Sequence, residues 1–232
     1  MLSRWYDPIL VVGIERILPA RIASLLAVLG VEVMPVPAHL DVTVTRWEDR
    51  EVRYCLMQLL GGTMPLRTFN LRLAILNEQR RRSGKPWALA SSYIADIPLP
   101  VLSHYLNPSV LWCQCAPADA ADLLLSVQPP TAGWSPSDAL DLCTRRHQTL
   151  TRWLDGYRVL PLKAQDIQAC RPDVLDDLVA FCGLTPTMDE TYLASVFWTP
   201  QNEGDAHGQK EVCAAVDERR GYAHVACEEE GR

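Results

Sequence analysis

Apolar runs and apolar-periodic stretches alternate along this chain, and glycine or proline separates many of them. Ile9-Leu10-Val11-Val12-Gly13 is a short continuous apolar run, the pattern of a strand buried on both faces. A turn from Ile14 to Ala20 follows, and Arg21 to Gly30 reads as an amphipathic helix stopped at glycine. Val31 to Met34 suits a short strand, and the Pro-, His- and Thr-containing stretch 35–47 reads as irregular. Glu51 to Leu60 predicts a short helix halted by Gly61-Gly62. Leu66 to Arg82 predicts a longer one, with Leu66, Phe69, Leu73, Ile75 and Leu76 on one face and Arg80-Arg81-Arg82 at the negative end of its dipole. Trp87 to Ala90 suits a buried strand, Asp96 to Leu106 a helical turn or two, and Val110 to Cys115 another strand. Pro117 to Ser126 is helical, with proline in the tolerated first turn. After a Pro/Gly loop, Ser135-Pro136-Ser137-Asp138 is a strong helix start, and that helix runs to about Leu154. Tyr157 to Leu162 is the next strand, and Asp173 to Phe181 a helix closed by Gly183.

Strands that alternate with helices predict an α/β fold of three layers, a mostly parallel sheet flanked by helices. Ligands of such sheets bind beyond the carboxyl ends of the strands, here after Val12, Ala90 and Cys115. The expected organisation is one domain over residues 1–200. Residues 201–232 are polar, with eight acids against four bases, and read as an acidic tail that is flexible or docks a partner.

Charge and composition narrow the function classes. The net charge of −6 gives no general reason to expect nucleic acid or an anionic membrane as partner. No signal peptide opens the chain and no apolar run is long enough to span a bilayer, so a cytoplasmic protein is expected. The eight cysteines are scattered rather than paired as zinc ligands, which points to buried free thiols in a reducing compartment, no disulfides and no metal. Cys113 and Cys115 share one face of their strand.

Several stretches resemble the sulfotransferase superfamily, whose fold is of the P-loop NTPase type and whose members move a sulfuryl group from 3′-phosphoadenosine-5′-phosphosulfate (PAPS). The resemblance spans about Ile9 to Pro200. Its best part is Tyr157-Arg158-Val159-Leu160-Pro161-Leu162-Lys163-Ala164-Gln165-Asp166-Ile167, then Arg171-Pro172-Asp173 and Phe181-Cys182-Gly183-Leu184. These are similar to the family's strand, its Tyr-Glu-Asp-Leu-like turn, its Pro-containing helix start and its Phe-x-Gly-Leu helix end. Val110 to Ser126 resembles the strand and helix bearing the family's Arg-Asp-Pro-Arg-Asp segment.

The departures fall on the donor site that the resemblance implies. In the family the first loop reads approximately Pro-Arg/Lys-Ser-Gly-Thr-Thr and holds the 5′-phosphosulfate; here Glu15-Arg16-Ile17-Leu18-Pro19-Ala20 stands there. Gly13 and Arg16 are what remains of a cofactor-binding loop, while Glu15 brings a negative charge, Ile17 lacks a hydroxyl and Pro19 lacks a donor. The Arg and Ser that grip the family's 3′-phosphate correspond to Cys115 and about Leu123. Charge-assisted hydrogen bonds contribute roughly 1.5–3 kcal/mol each, so their combined loss removes on the order of 5 kcal/mol, or roughly 10³–10⁴ in affinity.

Two functions follow. The first is a non-catalytic sulfotransferase-like protein, binding no cofactor, that works with a protein partner or as a homo-oligomer within an assembly. The alternative is a divergent sulfotransferase that takes PAPS or its product 3′-phosphoadenosine-5′-phosphate (PAP), with Arg16 and Lys85 or His104 as candidate catalytic groups. His147 is a further candidate base, although a lone histidine is ordinarily a surface or hydrogen-bonded residue. Arg145, Arg146 and Arg152 read as an exposed helix face, Trp112 and Trp153 as core, and Trp134 and Trp198 as partner anchors.

Overall fold

A computed structural model of the chain describes residues 7–33, 50–98, 101, 105, 107–127 and 133–198. Four parallel strands form the sheet: β1 (Ile9–Gly13), β2 (Ala88–Ala90), β3 (Ser109–Gln114) and β4 (Arg158–Lys163), in the order β2-β1-β3-β4. Val11 pairs with Ala90 on one side and Leu111 on the other, and Leu111 pairs with Leu160. The expected strand at Val31 to Met34 contributes one parallel bridge, Glu32 to Trp87, at the β2 edge. At the opposite edge β4 carries Pro161 in its middle and exposed Arg158 and Lys163 at its ends, features that discourage a further strand from adding.

The helices with both ends among the described residues are α1 (Ile17–Val28), α2 (Arg50–Leu60), α3 (Leu66–Ser83), α4 (Pro117–Val127), α5 (Pro136–Trp153), α6 (Ala164–Gln168), α7 (Pro172–Cys182) and α8 (Met188–Phe197), with a 3₁₀ turn at Ser92–Ala95. Parallel strands require right-handed crossovers. From β1 the chain first passes beyond β2 to the Glu32 bridge at the edge; it then returns through α2–α3 to β2 and later steps from β3 to β4, both in the opposite direction. The outward move puts α1 on one face of the sheet, and the two opposite moves put α2–α3 with α4–α5 on the other. The contacts agree. Helices α6 and α8 pack on α1, whereas α2 and α5 both meet the 3₁₀ turn and α4 packs on α5. The result is the three-layer α/β arrangement anticipated from the alternation of elements.

Helix α1 departs from its expected form. It begins at Ile17 rather than near Arg21, with Pro19 in the first turn, where its missing N–H breaks no bond. Ten of its twelve residues are buried, so it is not amphipathic: the sheet covers one side and α6 and α8 the other. Gly13 is obligatory for this closeness, because a Cβ there would lie 2.6 Å from Pro19 Cγ.

Helix α3 corrects a second expectation. Its core face is Phe69, Leu73, Leu76, Asn77 and Arg80, while Leu66 and Ile75 lie half exposed on other sides. Asn77 accepts the Tyr105 hydroxyl at 2.9 Å, and the Arg80 guanidinium lies 5.0 Å from the Trp87 ring centre, so both polar side chains enter the core with partners. Of the three arginines at the negative end of the α3 dipole, Arg80 is buried, and Arg81 and Arg82 are exposed. Among the described residues no helix is long and apolar enough to cross a membrane.

Candidate functional site

The direction of chain travel reverses between β1 and β3, so the crevice such sheets use for ligands opens beyond Gly13 and Gln114. Beyond β1 the chain reaches the N-terminus of α1, whose first N–H groups have no partner within the helix. In a phosphate loop these groups face the anion. Here the Glu15 side chain folds back over them. Its carboxylate accepts hydrogen bonds from the Ile17 N–H and, at 2.9 Å, from the Leu18 N–H. Glu15 is only 1% exposed, so this carboxylate is interior to the protein rather than a surface cap.

Behind it stands Arg146 of α5. Its Nε and Nη2 donate to the two Asp96 oxygens at 2.8 and 2.7 Å, a bidentate pair, and Nη1 donates to the Ile14 carbonyl at 3.1 Å. The exposed-face reading of Arg146 is thereby corrected: a carboxylate fifty residues earlier and a backbone carbonyl of the first loop draw it inside. Glu15 and Arg146 together occupy the start of α1, one taking the Ile17 and Leu18 donors and the other the Ile14 acceptor.

Burial pushes the Glu15 carboxyl above its ordinary value of 4.5, and the Leu18 and Ile17 hydrogen bonds and the charges of Arg146 and Arg16 offset that only in part. The folded chain thus holds this proton more tightly than the unfolded chain. Its contribution to stability is present at acid pH, declines as pH rises from the unfolded value through the folded one, and then levels off. Glu15→Gln removes this dependence. The stability of the wild type minus that of the variant, measured by urea unfolding, is expected to fall as pH rises upward from 4.5; a difference that is flat or climbing with pH would refute the assignment.

The cysteines near the crevice are not nucleophiles at neutral pH. Burial, and secondarily the Glu15 charge, pushes Cys113 well up; burial, then Glu15, Asp119 and Cys143, raises Cys115 to about 11. All six described cysteines are free thiols. Among the described residues no group of three or more His, Cys, Asp or Glu forms a metal-ligand set.

The sequence candidates do not converge. Gly13 and Arg16 sit at the loop, Arg16 half-buried at the helix start without a side-chain capping bond. Lys85 lies just before β2, at the amino ends of the strands and so at the wrong end of the sheet for the crevice. His147 packs beside Trp112, ring centres 6.0 Å apart. His104 lies outside the described residues. Trp198 is buried, not an exposed anchor, while Trp134 is 40% exposed as expected.

A second opening of about 670 Å³ lies beyond β3 and β4, lined by Gln114, Cys115, Asp119, Asp122, Leu123 and Lys163 among others. It includes Cys115 and Leu123, the positions that the resemblance matches to the 3′-phosphate contacts. Between them stand Asp119 and Asp122, and two carboxylates against one ammonium repel a phosphate. Comparison with protein-family models, with curated proteins and with solved structures returns no match to this chain.

Proposed function

We propose that this chain is a non-catalytic protein with a sulfotransferase-like frame, its donor site closed by its own residues, and that it serves as a binding or structural component of an oligomer or larger protein assembly. The observation that carries this reading is the Glu15 carboxylate on the Ile17 and Leu18 N–H groups. A sulfate or phosphate arriving there would have to displace a covalently attached, charge-matched competitor and leave it buried without donors. Supporting it, the Pro19 ring fills the space over Gly13, and the region of the 3′-phosphate contacts carries Asp119 and Asp122. Among the described residues at the start of α1, Glu15 is engaged, Arg146 is held by Asp96 and Ile14, and burial keeps the Cys113 and Cys115 thiols protonated at neutral pH.

Calorimetric titration with PAP tests the reading. Absence of heat at millimolar nucleotide, with Arg16→Ala indistinguishable from wild type, is the expected result. Micromolar binding that Arg16→Ala abolishes would overturn it in favour of the divergent transferase.

A further inference from the structure

Two surfaces of this protein have opposite charge and a common oddity: large apolar side chains on helix faces that point away from the core. The first is the α2–α3 hairpin. Residues 50–85 hold eight basic and two acidic residues, so although the chain is −6 overall this segment has a surplus of six positives. On α2, Tyr54 and Met57 (53% and 46% exposed) oppose the buried Val52, Cys55 and Leu56; on α3, Leu71 and Ile75 (63% and 51%) oppose Phe69, Leu73 and Leu76. Around them Arg67, Arg72, Arg82 and Lys85 are exposed. The second surface is α7–α8. Residues 172–198 hold five acids and no base. Met188, Tyr192 and Val196 recur every fourth residue along α8, at 90%, 68% and 40% exposure, opposite the buried Ala194 and Phe197. Beside this stripe runs a groove of about 470 Å³ that includes Leu175, Asp176, Val179, Leu184 and Pro186.

Each of these helices already has a separate core face, so the outward apolar residues are surplus to folding and mark contact surfaces. Charge selects the occupant. An anionic membrane or a nucleic acid complements the hairpin but leaves the equally apolar, anionic α7–α8 face unexplained. The partner that complements both is another copy of the chain. The two surfaces lie on opposite faces of the sheet, α2–α3 with α5 and α8 with α1, so one molecule cannot join its own pair. Contact between unlike patches is heterologous and propagates to a ring or a filament. We infer that copies of this chain associate head to tail, the cationic apolar α2–α3 hairpin of one copy seating on the anionic apolar α7–α8 face of the next. This inference rests on the assembly reading above only in naming the partner; PAP titration of the same preparation reports on the crevice independently, so either reading can fail alone.

Sedimentation equilibrium of the full chain over a concentration series tests it, with two variants whose substitutions fall on exposed positions. Leu71→Glu/Ile75→Glu spoils the hairpin, and Met188→Lys/Tyr192→Lys spoils α8. The wild type is expected to grow beyond a dimer with concentration and to weaken by about tenfold or more between about 0.05 M and about 0.5 M salt. Each variant alone is expected to lose at least about tenfold in association. Mixed in equal amounts, the variants are expected to form a heterodimer and stop there, because each keeps one intact face and the two kept faces are complementary. Far-ultraviolet circular dichroism of both variants checks that they are folded, and a folded pair that fails to combine overturns the proposal, as an isologous contact would give that result. So does a wild type that stays monomeric throughout. Retention of wild type on vesicles with about 30% phosphatidylserine, lost in Leu71→Glu/Ile75→Glu while the sedimentation mass is unchanged, also overturns it and assigns the hairpin to a membrane surface.

Discussion

Arg146→Met is expected to destabilise the fold by about 3 kcal/mol, the lower end of the roughly 3–5 kcal/mol found when one partner of a buried ion pair is removed. The lower end applies because the Asp96 side chain keeps 18% exposure and water can reach it, whereas Arg146 keeps 7%. Three interactions end at once: the bidentate pair with Asp96, the bond to the Ile14 carbonyl, and the positive charge facing Glu15. A methionine fills much of the volume but supplies no donor, so Asp96 and Ile14 stay polar without a partner. The double variant Arg146→Met/Asp96→Leu discharges both ions and is expected to recover most of the loss. Urea unfolding of the four proteins closes the cycle. A single variant within about 1 kcal/mol of wild type would mean that the pair behaves as a surface salt bridge and that the loop is held by something else.

Trp198→Ala carries an expected loss of comparable or larger size, about 3–5 kcal/mol. The indole is 3% exposed. Its Nε1 donates to the Arg171 carbonyl at 2.8 Å, and the Arg21 guanidinium sits 5.4 Å from its ring centre. Arg21 also reaches Cys170 Sγ, so this one ring ties α1, the α6–α7 link and the end of α8 together. Trp198→Phe keeps part of the packing and loses the donor, which predicts a smaller loss of about 1–2 kcal/mol. Thermal unfolding separates this role from that of an anchor on a partner: an anchor would leave the melting temperature unchanged and weaken association only.

The four strands were legible because continuous apolar runs between turn residues admit little else, and all four are within a residue of where the pattern puts them. Helix α5 was legible from its start, where Ser135 and Asp138 form the reciprocal capping box. The same signal stands at Thr187 and Glu190, where a second reciprocal capping box starts α8. Burial on α3 was misjudged because periodicity alone counts apolar residues, and the face that turned inward included Asn77 and Arg80. The crevice was half legible. The lack of phosphate-binding residue types from Glu15 to Ala20 can be seen in the sequence, but what occupies the first N–H groups of α1 cannot, because that depends on a side chain folding back on its own helix. The Arg146 pairing with Asp96 was not legible at all, since nothing local distinguishes an arginine that finds a distant carboxylate from one that faces water.

Proteins that hold a nucleotide inherit a sensitivity from it: their stability rises and falls with the ligand's concentration. Here the anion at the start of α1 is part of the chain, two residues from the N–H it caps. Its effective concentration is set by tether length and is the same in every compartment and at every metabolic state. Under the function proposed above, the start of α1 is filled by the chain itself, so its occupancy does not fall when nucleotide runs low.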